Sequence, residues 1–195
     1  MTRRARILAV VTILLVGGLG VIASTQTWLT VTLRAGGDPL PVPGTAALPV
    51  LAPLCLAVLA LGGALSIVGL VLRYVFGALT VGAAAALVWL AAPIAVSPPV
   101  SAVSATVTTA TGISGTEAVS GLVAGIVATP WPGVTLAAGA LLCVAGLFTL
   151  GTAHAWRRTG RRYDADSVAA PRAATGPLDA VDSWDDLSRG DDPTR

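Results

Sequence analysis

Side chains able to do acid–base, nucleophilic or metal chemistry are few and far apart in this chain. It holds one histidine, His154, and two cysteines, Cys55 and Cys143. A structural zinc site needs about four clustered ligands. These three residues are too widely separated to assemble one without help from elsewhere. No Ser/His/acid set is available, because His154 falls at the end of an apolar stretch. No glycine-rich segment has the P-loop pattern. Glu117 closes Ser114-Gly115-Thr116-Glu117, which has the spacing of a capping box. Its simplest role is to start a helix, where the helix dipole favours an acid. No catalytic residue, cofactor or metal is therefore expected, and the chain is expected not to be an enzyme.

The elements that would position these residues are membrane spans. Of the 195 residues, 54% are hydrophobic and only 11% charged. A soluble domain carries about 25% charged residues. Between Ile7 and Trp156 the charged residues are Arg34, Asp38, Arg73 and Glu117. The other charges lie in the first six residues or after Trp156. This excludes an ordinary soluble domain and a disordered chain, and implies an integral membrane protein with two polar ends. A net charge of +2 with no basic surface argues against nucleic-acid binding.

A spanning helix needs about 20 mostly apolar residues. Four stretches qualify: residues 7–23, 48–72, 75–96 and 134–153. The first is longer than the apolar core of a signal peptide and lacks a clear cleavage site. Pro49 and Pro53 open the second, in first-turn positions that tolerate a missing N–H. Arg73 and Tyr74 interrupt the long run that follows, so a tight helical turn is expected there. Pro93 should bend or end the third span. The expected fold class is an all-α membrane protein of four transmembrane helices, with a small extracytoplasmic β or interfacial-helix element between spans and a flexible polar tail. Residues 1–156 form the membrane domain and residues 157–195 the tail.

Arginine is enriched in cytoplasmic loops. Four crossings put Arg3, Arg4, Arg6, Arg73, Arg157, Arg158, Arg161 and Arg162 on one side. Arg34 faces the other, offset by Asp38 and Glu117. Both termini are thus expected in the cytoplasm, with the chain crossing the membrane several times.

Between the first two spans, Leu29, Val31 and Leu33 alternate with Thr30 and Thr32, a strand period. Pro39, Pro41 and Pro43 should forbid a regular partner strand nearby. Residues 100–111 either pair with that strand or form an irregular Ser/Thr-rich loop. Residues 118–129 are too short to span and read as an interfacial or re-entrant helix. Trp89, inside the third span, reads as a packing residue. Small residues at four-residue spacing, Ala78, Gly82 and Ala86, mark a candidate face for close helix packing. Gly139 and Cys143 do the same on the last span. Cys55 and Cys143 read as small packing residues, with no disulfide between them.

In the tail, residues 176–190 carry helix punctuation, with Pro177 at the start and Gly190 at the end. Leu178, Val181, Trp184 and Leu187 supply its apolar side, and aspartates fill the rest. Trp184, Leu187, Asp185 and Asp186 are candidate contacts for a cytoplasmic protein partner.

The chain resembles the tryptophan-associated transmembrane protein family. The residues that carry the likeness are Thr27-Trp28-Leu29-Thr30-Val31-Thr32, Trp131-Pro132, Arg161-Arg162-Tyr163-Asp164 and the terminal segment from Trp184 to Thr194. The likeness spans nearly the whole chain and implies a multi-pass plasma-membrane protein. It supplies a link to tryptophan biosynthesis but no reaction. The expected role is a scaffold or regulator, seated in the lipid bilayer, that positions or regulates a cytoplasmic protein partner through its packed helices and C-terminal tail. The rival is a subunit of an oligomeric transporter or exporter for a small solute such as an aromatic amino acid, which would require a homo-oligomer.

Overall fold

The computed structural model describes residues 2–152 and His154. Among the described residues, three helices are long and apolar enough to cross a membrane: Arg4–Thr25, Leu70–Val96 and Trp131–Thr152. They belong to α1 (Thr2–Thr25), α4 (Leu70–Val96) and α7 (Trp131–Thr152). A shorter apolar helix, α3 (Leu51–Leu65), packs along α1 and also meets α4. These helices are apolar on every side, as lipid contact requires. Packing, not amphipathicity, therefore selects their inner faces.

The inner face of α4 is Arg73, Gly77, Thr80, Ala84, Leu87, Ala91 and Ile94. Steps of four and three residues alternate along it, the seam of a left-handed helix pair. On α7, Pro132, Thr135, Gly139, Leu142, Gly146 and Thr149 follow the same rule. Glycine lets these backbones close up. A Cβ added to Gly146 would lie 2.7 Å from Val81 Cγ2, and one on Gly139 2.8 Å from Val88 Cγ2. On the other side of the bundle, Gly17 and Gly20 of α1 meet Leu59 and Cys55 of α3. The buried hydroxyls on these seams bond back to their own helix. Thr80 donates to the Phe76 carbonyl and Thr149 to the Ala145 carbonyl, each at 2.8 Å.

The expected Ala78/Gly82/Ala86 face is not the one that packs within the chain. Ala78 and Gly82 are exposed and Ala86 half-buried, and a Cβ on Gly82 meets nothing within 4 Å. A strict four-residue step precesses around the helix, whereas the seam needs alternating fours and threes. The expected turn at Arg73 also moves. It falls at Ser66–Gly69, between α3 and α4, and Arg73 lies one turn inside α4. Its charge is not a loop marker, because a long arginine side chain can carry its head away from its own Cα. Here it reaches back to donate to the Val68 carbonyl at 3.2 Å.

At the opposite end the helices carry a cap. β1 (Thr27–Leu33) follows α1 at once and is the central strand of a three-stranded antiparallel sheet, flanked by β2 (Leu40–Pro43) and β3 (Val123–Ala128). Thr30 lies opposite Pro41 on one side and Val127 on the other. Prolines do not prevent the β2 pairing, contrary to expectation. β2 is an edge strand and can turn its missing donors outward. Residues 100–111 do not pair with β1. They form a 3-10 turn (Val100–Ala102) and α5 (Ser104–Thr111). The segment expected to be one interfacial helix divides into α6 (Thr116–Leu122) and β3. Gly115, at a φ of 105°, is the residue before α6, and no side chain caps this helix. A short helix, α2 (Gly44–Ala47), completes the cap.

Candidate functional site

The chemistry-bearing residues remain dispersed in the fold. Cys55 is buried on α3 and Cys143 half-buried on α7, both as free thiols. His154 is exposed at the end of the bundle away from the cap. Glu117 is exposed in the first turn of α6. Among the described residues, no three His, Cys, Asp or Glu side chains come together to hold a metal. Trp184, Leu187, Asp185 and Asp186 lie outside the described residues.

What the fold does assemble is a rigid cap. Trp28 is wholly buried beside Leu29, Val31, Val42, Val103 and Val119. That core is continuous with Leu51, Leu87 and Ile94 at the helix ends, so the cap and the bundle share one interior. The Trp28 indole N–H donates to the Ala23 carbonyl at 2.8 Å. This satisfies one of the carbonyls left without an intrahelical partner at the end of α1. Gly44 N–H donates to the Gln26 carbonyl at 2.9 Å, which presses the start of α2 against the indole. The other edge is tied as firmly. Thr129 donates through its backbone N–H to the Trp28 carbonyl at 2.9 Å and through its hydroxyl to the Thr27 carbonyl at 2.7 Å. Arg34 holds the far end of β3, with Nε donating to the Val123 carbonyl at 3.2 Å.

The model of the tryptophan-associated transmembrane protein family matches residues 10–194. The chain belongs to that family. No curated protein and no solved structure matches it. Family membership and the three long apolar helices make this a transmembrane protein with a tryptophan association.

Two further surfaces of this family member stand out. A groove of about 810 Å³ opens on the outside of the bundle between α4 and α7, beside Ala84, Val88, Trp89, Pro93, Ala140 and Cys143. Trp89 is not the interior packing residue that its place in the span suggests. It is 81% exposed on the groove's rim. At the end away from the cap, Arg6 and Arg73 both reach the turn between α3 and α4. Neither the Trp28–Gly44 lock nor this arginine corner is visible in the sequence. A tryptophan at the start of a strand gives no sign that it bonds backward to the preceding helix.

Proposed function

We propose that this protein is a non-enzymatic scaffold or regulator in the plasma membrane, with four crossings and both termini in the cytoplasm. The observation that carries this reading is the filled interior. Ile13, Val58, Leu65, Ala84 and Leu142 pack into one core along the bundle. The gap beside Gly20, Cys55 and Thr135 is about 10 Å³, barely the room one water needs. A single copy packed in this way suits a fixed frame better than a solute path. The alternative, a subunit of an oligomeric small-solute exporter, would need a path between copies.

The four-crossing topology draws on the alternation of α1, α3, α4 and α7, each with one end at the cap. The 15 residues of α3 are short for a span. At the usual helical rise they cover roughly 22 Å, against a hydrocarbon core of roughly 30 Å. The apolar residues that flank it, Leu48 and Val50 on one side and Ile67 and Val68 on the other, extend its reach. In this reading the frame holds the cytoplasmic segment 176–190, where Trp184 and Leu187 would enter a partner's groove and Asp185 and Asp186 would meet basic residues at its rim.

The experiment is an affinity capture from membranes with wild type, Trp184→Ala and a chain ending at Thr175. Both variants should insert and accumulate normally, yet lose a cytoplasmic protein that wild type retains. Equal recovery from all three removes the scaffold reading. Solute flux into proteoliposomes, abolished by variants that leave capture intact, would favour the exporter.

A further inference from the structure

The two outer edges of the cap's sheet are not alike. Thr129 N–H donates to the Trp28 carbonyl at 2.9 Å, which makes Trp28 and Thr129 a hydrogen-bonded pair of the β1–β3 ladder. Such pairs recur at every second residue of an antiparallel ladder. Thr30 lies opposite Val127 and Thr32 opposite Gly125, so Val127 and Gly125 also face β1. Ile126 and Ala128 therefore turn an N–H and a C=O each away from β1. No strand lies on that side of β3, and among the described residues no other group bonds to them.

Natural sheets blunt free edges with prolines, charges or bulges. β2 follows this rule. Pro41 lies opposite Thr30, whose N–H and C=O already bond to Val127, so the missing donor of Pro41 faces the outer edge. β3 is protected only at its ends. A bulge falls between Gly125 and Val123, where Arg34 Nε donates to the Val123 carbonyl at 3.2 Å. Pro130, with no N–H, closes the other end. The stretch between carries no charge and no proline, and Val127 on it is 66% exposed. Unpaired N–H and C=O groups at two-residue spacing fit another extended backbone. A helix keeps these groups for itself, and an acyl chain has none. A second copy fits poorly. β3 leads into α7 with only Thr129 and Pro130 between them. Antiparallel pairing of two β3 strands would pull their α7 helices in opposite directions, whereas copies in one membrane share a direction.

We propose that the outer edge of β3 docks an extended segment of another protein, which joins the sheet as a further strand. The segment bonds to the N–H and C=O groups of Ile126 and Ala128 and sets a β-branched side chain against Val127. This surface is separate from the tail segment 176–190 and does not depend on it.

The test uses the full chain in mild detergent and a blocked peptide of alternating threonine and valine, with a lysine at each end for solubility. Its fully N-methylated form, which keeps the side chains but lacks the donors, is the control. Amide hydrogen exchange is read by NMR. In the free protein the Ile126 and Ala128 amides should exchange about tenfold or more faster than those of Val127 and Thr129, which bond to β1. The peptide should slow Ile126 and Ala128 severalfold, and the N-methylated form should not. Ala128→Pro removes an outward donor and leaves the β1 ladder whole. It should keep the wild-type melting temperature and weaken the peptide's protection of Ile126 about tenfold, the order expected from a lost hydrogen bond. If Ala128→Pro does not fold, Val127→Lys decides, because that side chain is exposed and a charge on the edge should also weaken protection. Absence of protection at the highest soluble peptide concentration overturns the proposal, as does equal protection by the N-methylated form. Slow exchange of Ile126 and Ala128 without peptide overturns it too, and slowing that grows with protein concentration would make the occupant a second copy.

Discussion

The Trp28 indole N–H donates to the Ala23 carbonyl at 2.8 Å, across five residues of chain. This one bond ties the last turn of a membrane-facing helix to the central strand of the cap. It fixes where the membrane segment stops, because the chain leaves α1 and enters β1 with a single residue between them. The neighbouring Gly44 is part of the same lock, since it leaves the indole room.

Removing the donor while keeping most of the ring should expose its contribution. Trp28→Phe removes one of two donors to the Ala23 carbonyl, which keeps the Gln26 N–H at 3.2 Å, so the loss should be roughly 0.5–1.5 kcal/mol, one net hydrogen bond. Trp28→Ala adds a cavity and should cost roughly 3–5 kcal/mol. Thermal unfolding in detergent should rank wild type above Trp28→Phe and Trp28→Phe above Trp28→Ala. A Trp28→Phe protein as stable as wild type would mean the bond contributes nothing.

Gly44 gives a sharper steric test. Its Cβ position lies 2.7 Å from Trp28 Nε1 and 3.0 Å from the carbonyl oxygens of Ala23 and Ser24. Two of those neighbours are backbone and cannot step aside. Gly44→Ala should therefore destabilise the cap by about 1–3 kcal/mol. Gly18→Ala in α1 meets nothing within 4 Å. It should be neutral or slightly stabilising, because alanine favours a helix. Equal melting temperatures for the two variants would contradict this packing.

The helix seams make an opposite pair of expectations on neighbouring helices. Gly146→Leu would drive a side chain into Val81, including its backbone nitrogen at 3.2 Å from the Cβ position. It should unfold or strongly destabilise the bundle. Gly82→Leu points away from the chain's own core and should leave the stability of a single copy nearly unchanged. A large loss from Gly82→Leu in monodisperse, monomeric protein would show the seam is misplaced.

The existence of the membrane helices was legible in the sequence, because a long uncharged apolar run suits lipid and little else. The strand Thr27–Leu33 was legible too, through its alternation of Thr with Leu and Val. Helix faces were not, because Ala and Gly occur on every side of α4. Only contact distinguishes Gly77, which packs against Leu150, from Gly82, which packs against nothing. Arg73 misled for a related reason. A single charge in an apolar run signals water only if its side chain cannot reach back, and a long stem ending in a guanidinium can. The prolines of β2 misled because their effect depends on whether a strand is central or at an edge, which is a property of the sheet. Glu117 kept its place at a helix start. The capping box around it did not form, since Gly115, not Ser114, precedes α6.

Two engineered cysteines test the orientation across the membrane. The charged corner of Arg6 and Arg73 lies at one end of the bundle, and the chain's first and last described residues lie there too. The cap, with Arg34, Asp38 and Glu117, lies at the other. Basic residues near span ends are retained on the cytoplasmic side, so the cap should face out. Ser101 is exposed in the cap, and Ser183 belongs to the tail segment. Ser101→Cys should react with a membrane-impermeant thiol reagent on intact cells. Ser183→Cys should react only after permeabilisation. The native Cys55 is buried and Cys143 half-buried on an apolar helix face, so the background should be low in both states. Labelling of Ser183→Cys alone from outside would invert the orientation. Labelling of both sites from outside would place the cap and the tail on one side. The single crossing by α7 that separates them would then be absent, and the four-crossing topology would be wrong.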